Sequence, residues 1–490
     1  MRAAGIKKGR RAPQPTVSAR LGGHVTLEAQ ANGQIIACFE GYSVDLGTFS
    51  AGAAARAHDL RIGLPLASFA SGTRNIDKEM HLLVRRLARH GLLEYRLQCP
   101  RNDEDQVVVE PQAADYWPGT AHLVDADTLV LSRFAYIRRR GNDMVLESPR
   151  AGALFKICNP KIASAIATLS APQKIKWLRR QDGFPGIQLL ALLVDCQILF
   201  KIKAASDGGL RATEGDGNLV LWDFHDLLFH TRSTEGRQAN PLGGVGLYAG
   251  VVPPLPAVRR RWPGKKVNLG KFPAAPSEAI SPFAKLLYER HSTRSFDDQR
   301  PITLAELSRF LDNTARVLSR WRSRVDLGAG GPLVSYAIRP YPSAGASYEL
   351  ELYLAVDKCE GLTRGFYHYD AGSHALASIG VRTHELEALL TGAKFAMDAS
   401  AAPQILITIS ARFGRMSWKY SSLAYALILK DVGVLTQTLY LMATDMGLGG
   451  CAIGSTNIDL FAKMTGIAFH VEGPVGQFAL GRGSRLGATG

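Results

Sequence analysis

Met80, Leu83, Val84 and Leu87 recur at helical spacing, Gly91 offers a left-handed stop, and Leu93, Tyr95 and Leu97 then alternate as a strand. Helix, turn and strand in that order form the end of a winged-helix unit. Roughly a hundred residues on, Ile187, Leu190, Leu193 and Val194 precede Ile198, Phe200 and Ile202 in the same order, with Gln197 where the first unit has its glycine. The pattern reads as a weak internal duplication. The second unit opens with a predicted hairpin, Ser132-Arg133-Phe134-Ala135-Tyr136-Ile137, turning at Gly141-Asn142-Asp143 into Met144-Val145-Leu146. The step Leu146-Glu147-Ser148-Pro149 ends that strand.

The second half has a different rhythm. Gly243 to Pro276, with Pro253, Pro254, Pro256, Pro263 and Pro273, reads as a linker. Beyond it, Phe283, Leu286 and Leu287 predict a helix within Ser281 to Arg290. Thr303 and Glu306 make a capping box ahead of the stripe Leu304, Leu307, Phe310 and Leu311. Strands are predicted at Glu349 to Val356 and Gln404 to Ser410, and a long apolar helix from about Tyr420 to Met446, ending at Gly447-Leu448-Gly449-Gly450. The fold class is α+β. The divisions are 1–125 and 126–242 as two winged-helix-like units, 243–279 as a basic Pro/Gly-rich linker, and 280–490 as the last domain.

At 490 residues with 46% hydrophobic positions the chain has ample material for several cores. Its cysteines, Cys38, Cys99, Cys158, Cys196, Cys359 and Cys451, form no Cys-x-x-Cys and no tight cluster with histidine, so neither a zinc site nor a disulfide framework is indicated. No signal core and no run of about 18 apolar residues appears, which points to a cytoplasmic protein without a membrane partner. The net charge of +15 lies in separate knots, among them Arg138-Arg139-Arg140, Arg179-Arg180 and Arg259-Arg260-Arg261, which reads as a diffuse positive field. Winged-helix units read DNA in some proteins and capture an extended peptide on the wing edge in others. Without a base-reading helix, peptide capture is the preferred expectation, a structural role second and nucleic acid third. His225 and His230, five apart, diverge by about 140° on a helix, which suits packing or capping better than metal binding.

Arg290-His291-Ser292-Thr293-Arg294-Ser295-Phe296, Pro342-Ser343-Ala344-Gly345-Ala346, the glycine-rich helix end and Gly481-Arg482-Gly483 resemble the flavin-binding elements of the nitroreductase superfamily over roughly residues 280 to 485. Lys419-Tyr420, with Ser132-Arg133-Phe134-Ala135-Tyr136 and Leu146-Glu147-Ser148-Pro149, resembles within it the SagB-type dehydrogenases. The resemblance implies FMN as cofactor, a homodimer, a precursor peptide as substrate and a cyclodehydratase as partner enzyme. It further implies that thiazolines or oxazolines are oxidised to azoles. Carried over, it puts Arg290 and Ser292, with the adjoining His291, at the FMN phosphate, Arg294 near the pyrimidine carbonyl, and Arg482 or Arg485 completing the phosphate site. Pro342, Ser343, Ala344 and Gly345 approach the flavin from the partner subunit, and Gly449, Gly450, Ile453 and Gly454 lie beside it, with backbone at Ile453 and Gly454 near N5. Gly447 is read as the helix terminator, and Trp418, Tyr425 and Tyr440 as core.

Aromatising an azoline removes a proton from carbon and a hydride, so Lys419 is the candidate base and Tyr420 a hydrogen-bonding partner. A charged lysine cannot take a proton, and burial beside arginines is the expected means of lowering its pKa. Adjacent residues on a regular helix diverge by about 100°, which places the pair at a helix start or kink. Two departures from the family bear on the substrate: Tyr348-Glu349 lacks the usual proline after the tyrosine, and Leu423-Ala424-Tyr425 lacks an arginine many relatives carry. Two other readings stay open at this point, an NAD(P)H-dependent nitroreductase or flavin reductase and a non-catalytic peptide-binding scaffold.

Overall fold

The computed structural model describes residues 16–39, 42–70, 74–98, 104–113, 115–119, 121–202, 214–234, 250–259, 261, 263–269, 280–325 and 330–484. Of the predicted linker 243–279 the described part is 250–259, 261 and 263–269, and Arg485 falls outside the described residues. The chain divides into two units with the main break after Arg232.

In the N-terminal unit, helix Asn75–Arg89 buries Met80, Leu83, Val84 and Leu87, Gly91 takes φ +66°, and strand Leu93–Gln98 follows, as the periodicity predicts. The second copy of the pattern holds too: helix Ile187–Asp195 precedes strand Leu199–Ile202. Gln197 between them takes φ +57°, the same left-handed stop without glycine. An antiparallel sheet runs Leu64–Pro65, Val17–Leu21, Leu93–Gln98, Asp105–Pro111, Ala153–Ile157, Asp143–Glu147, Tyr136–Arg140. This sheet, and one continuous core reaching from Val17 to Leu199, cross the 125/126 division drawn from sequence.

The hairpin starts later than the sequence suggests, at Tyr136, because Ser132 and Arg133 are held in a turn by buried Glu214. Ser132 Oγ donates to one carboxylate oxygen at 2.8 Å, the Arg133 N–H to the other at 2.7 Å, and Arg150 pairs with it at 2.9 Å. Glu147, 2% exposed, likewise gathers Arg138 and Arg232 at 2.7 Å and Tyr136 at 3.0 Å. Both sequence motifs of this unit therefore build buried ionic centres, which are costly to break. His230 is buried against Trp222, while His225 is exposed beside Asp226, the packing role expected for the first.

The C-terminal unit is built on an antiparallel sheet in the order Ala375–Ile379, Gly365–Asp370, Leu350–Val356, Ile405–Arg412, Glu472–Gly481, Gly449–Ile453. Strands Leu350–Val356 and Glu472–Gly481 are buried along their whole length, polar Glu351, Glu472 and Gln477 included. Helices Thr383–Ala396 and Ile458–Thr465 cover one face through Leu386, Leu389, Leu390, Phe461 and Met464. Helix Leu304–Ala315 carries the predicted capping box and buries Leu307, Phe310 and Leu311, while Leu304 is exposed instead.

The long helix is Ala424–Asp445, packed on strands Leu350–Val356, Gly449–Ile453 and Glu472–Gly481 through a stripe that includes Tyr425, Ile428, Asp431, Leu435 and Leu439. By length and composition alone it could also cross a membrane. It begins four residues later than the apolar run suggests, because Ser422 takes φ +55° and separates it from the short helix Phe413–Ser417. Gly447, at φ +65°, ends it, whereas Gly449 and Gly450 already belong to the next strand. Tyr425 and Tyr440 are buried as expected, but Trp418 is exposed.

Candidate active site

The Arg290 segment seals the edge of the C-terminal sheet. Helix Pro282–Glu289 stops at Arg290, and the Thr293 N–H then donates to the Gly450 carbonyl at 2.8 Å. Only glycine fits at 449, since a Cβ there would come within 2.6 Å of the Thr293 methyl. Tyr440 ties the two segments together: its hydroxyl lies 2.9 Å from Ser292 Oγ and accepts the Ala452 N–H at 2.8 Å, while the Arg290 guanidinium stacks 5.1 Å from its ring. Arg294 sits close enough to Cys451 to draw its thiol pKa down, although burial dominates and pushes it up. His291 is exposed and bonds only the Glu289 carbonyl, at 2.9 Å, through Nδ1. The Ile453 side chain is packed in the core, so only its backbone faces the site.

FMN suits this donor set. Among the described residues Arg290 and Arg294 have no carboxylate partner, and Arg290 and the Ser292 hydroxyl meet on Tyr440, a donor pair of the kind a phosphate takes. A Cβ built at Gly454 would meet nothing within 4 Å, so the backbone there is open to a flat ring. Arg482 is committed elsewhere: it donates to both Glu306 carboxylate oxygens at 2.7 Å and through Nε to the Arg300 carbonyl at 3.2 Å.

The other candidate residues gather on the loop Pro342 to Tyr348. Lys419 Nζ donates to the Gly345 carbonyl at 3.0 Å, and a Cβ at Gly345 would run into both Lys419 Nζ and the Tyr420 hydroxyl. The pair lies between helices Phe413–Ser417 and Ala424–Asp445, in the irregular backbone that the angular argument requires. Lys419 is exposed in the single chain, so the burial expected to lower its pKa is not present there.

From below, the Ala344 N–H donates to the Asp431 carboxylate at 2.9 and 3.2 Å. Ser343 Oγ accepts from the Tyr348 N–H at 2.9 Å and donates to Glu349 at 3.3 Å. Burial first, and then the neighbouring Asp431 charge, push Glu349 up to about 7 against its own backbone hydrogen bond.

Both groups hang on helix Ala424–Asp445, one from Asp431 and the other from Tyr440. Nine residues on a helix rise roughly 13 Å and turn through about 180°, so the two groups lie on opposite faces of it. Sequence reasoning named the Gly345 loop and the Arg290 segment as candidates, but missed Asp431, Glu349 and the hydrogen-bonding role of Tyr440.

Beside Lys419 opens a cleft of about 760 Å³ whose lining includes Trp321, Tyr336, Arg339, Glu351, Arg412 and Arg415. Trp321 and Tyr336 stack at 5.4 Å on the hairpin Ser319–Arg324 and Leu333–Ile338, and Lys419 Nζ lies 5.9 Å from the Tyr336 ring. Arg415 pins this hairpin to the loop by donating to the Ser335 and Ser347 carbonyls, each at 3.0 Å.

Residues 287–482 match the nitroreductase family, and residues 129–239 match the cyanobactin oxidase ThcOx family. A protein of Methanocaldococcus jannaschii named as a nitroreductase is 31% identical over 170 residues, 35% of this chain and 77% of its own length. Among solved structures, a protein of Ralstonia eutropha named as a nitroreductase is 23% identical with a TM-score of 0.33, covering 46% of this chain and 97% of that one. A chain of the Escherichia coli microcin synthetase McbBCD complex, with truncated pro-MccB17 bound, is 20% identical with a TM-score of 0.34, covering 52% of this chain and 85% of its own. Likeness at that level says nothing of substrate.

Proposed function

The chain belongs to the nitroreductase family, as an oxidoreductase of the SagB type, and we propose that it oxidises thiazoline or oxazoline rings of a ribosomally made peptide to azoles with FMN as cofactor. The observation that carries this reading is the Lys419 amine held at 3.0 Å on the Gly345 carbonyl, beside Tyr420 and at the lip of an aromatic cleft. A reductase of small electrophiles has no need of a proton acceptor there.

Arg290, Ser292 and Arg294 would hold the FMN phosphate and pyrimidine edge, and the backbone at Ile453 and Gly454 would border the ring. Bound FMN supplies the acceptor for the hydride that leaves the azoline, and dioxygen serves as terminal oxidant. Lys419 takes the ring proton in its neutral form, and Tyr420 donates to the ring heteroatom. The burial that a neutral lysine needs comes from the occupied cleft and from a second copy of the chain.

That second copy answers the separation of the two groups on helix Ala424–Asp445: each site combines the Arg290 segment of one chain with the Gly345 loop of the other. It also covers helix Pro282–Glu289, which leaves Phe283, Leu287 and Tyr288 exposed in the single chain. In the N-terminal unit, strand Tyr136–Arg140 pairs on one side only among the described residues and offers its other edge to the precursor peptide as an added strand. A cyclodehydratase supplies the azoline.

Incubating the protein with an azoline-containing peptide is expected to give a mass loss of about 2 Da per ring, at a rate that falls in Lys419→Ala at matched flavin content. An unchanged rate in that variant removes Lys419 from the mechanism. The relative named as a nitroreductase favours a second reading, reduction of small electrophiles by NADPH; bleaching of the flavin by NADPH alone, with azoline untouched, would establish it instead.

A further inference from the structure

We propose that Asp431 and Glu349 are positioning residues for the Lys419 amine: they fix the Ser343–Gly345 loop from beneath, and the Gly345 carbonyl of that loop fixes the amine. The inference rests on the reading of Lys419 as the proton acceptor.

The loop cannot hold its shape by itself. Gly345, Ala346 and Tyr348 all take positive φ, +57°, +54° and +43°, and for alanine and tyrosine that region is disfavoured. Such a backbone persists only when its surroundings over-determine it. Here they are two carboxyl groups, Glu349 at 0% exposure and Asp431 at 6%, buried in a unit where an unpaired charge is expensive. Asp431 accepts the Ala344 N–H, one residue before Gly345, and Glu349 accepts from Ser343 Oγ, which in turn accepts the Tyr348 N–H. The two ends of the strained segment are therefore tied to the same pair of carboxyls.

A second observation concerns the proton. Glu349 lies close enough to Asp431 to feel its charge, and its Oε1 is buried with no hydrogen-bond partner among the described residues. Burial, with Asp431 beside it, pushes Glu349 up to about 7. As pH rises through that range Glu349 takes on a charge in a buried site, and the latch under Ser343 and Ala344 loosens. The charged and titratable groups around them act against a full release. Arg415 lies close enough to Glu349 to feel its charge, and Tyr341 feels Arg339, Glu349, Glu351 and Tyr348. Arg415 also holds the Ser347 carbonyl, so loosening is confined to the stretch before it.

The two substitutions at 431 separate tether from proton. Asparagine keeps an acceptor for the Ala344 N–H but removes the carboxyl that faces Glu349; alanine removes both. Hydrogen exchange of the full-length flavoprotein, read on the peptide covering 343–348 and expressed as protection against intrinsic rates, gives a readout independent of turnover. Protection is expected to fall about tenfold between pH 6 and pH 8 in the wild type, to stay level in Asp431→Asn, and to be low at both pH values in Asp431→Ala. Turnover of an azoline peptide should follow the same order in kcat, with KM little changed. Wild-type protection of 343–348 in Asp431→Ala, at any pH, overturns the inference. If protection behaves as described but no variant, nor the wild type, oxidises an azoline, the reading of the reaction falls and the positioning of the loop stands.

Discussion

Lys419 Nζ and the Gly345 carbonyl oxygen stand 3.0 Å apart across a separation of 74 residues, and the Tyr420 hydroxyl crowds the same glycine. Position 345 is thus the point where the loop and the lysine-tyrosine pair meet. Its φ of +57° and its missing side chain are both used, the first to turn the carbonyl toward the amine and the second to let it approach.

Gly345→Ala is therefore expected to act on the amine more than on the fold. Alanine at positive φ costs about 1 kcal/mol, and the clash is with the flexible ends of two side chains, which move aside cheaply. We expect a small drop in unfolding midpoint and, at matched flavin content, azoline oxidation slowed by about tenfold or more as the amine is displaced. Turnover at wild-type rates would show that the Lys419 position in this structure is not the working one.

Tyr440 gives a test of the other half of the site. Tyr440→Phe keeps the ring under Arg290 but removes the hydroxyl that meets Ser292 at 2.9 Å and accepts the Ala452 N–H at 2.8 Å. A half-buried amide and a serine lose their partner together, which costs about 1–2 kcal/mol and loosens Ser292, the residue proposed to hold the phosphate. The expected result is an FMN dissociation constant raised about tenfold, measured by flavin fluorescence, with kcat at saturating FMN preserved.

Much of this arrangement is legible in the chain. The helix periods, the Thr303–Glu306 box and the stop at Gly91 are local signals, and local physics decides them. Asp431 was legible in principle, since it falls on the apolar stripe Tyr425, Ile428, Leu435 and Leu439, and a carboxylate on a core stripe needs a partner. Its neighbour Glu349 stands just before strand Leu350–Val356, in another part of the chain, so their approach depends on how that strand and the long helix dock. The start of that helix was missed because Ser421-Ser422-Leu423 holds no glycine or proline to mark a stop; the break is a backbone turn at Ser422 that composition does not announce. Trp418 was placed in the core from its type alone, yet it lies at the end of a short helix facing outward.

The repeated pattern of the N-terminal unit supplies a stability test. Gln197 and Gly91 close equivalent helices at φ +57° and +66°, but only glycine is at ease there. Gln197 is exposed, so little is lost with its side chain. Gln197→Gly is expected to stabilise the unit by about 0.5–1 kcal/mol, the relief of left-handed strain exceeding the entropy that glycine adds to the unfolded chain. Gly91→Gln should move the urea midpoint in the opposite direction.

Glu306 links stability to the cofactor site. Burial raises its pKa, but hydrogen bonds from Arg482 and Thr303 outweigh that and hold it below the ordinary value of 4.5. A carboxyl whose folded pKa is depressed adds stability above its unfolded pKa and loses it as pH falls through the folded one. Glu306→Gln preserves the capping box, since glutamine also caps, and removes only the ion pair to Arg482. Because both side chains are partly exposed, the difference from wild type should be about 1 kcal/mol at pH 7 and should vanish in acid below the depressed pKa. The same substitution releases an arginine whose guanidinium is otherwise occupied by Glu306 and the Arg300 carbonyl. If Arg482 completes the phosphate site, the variant binds FMN severalfold more tightly while being less stable. Equal FMN affinity in the two proteins would leave Arg482 a structural residue and the phosphate to Arg290 and Ser292.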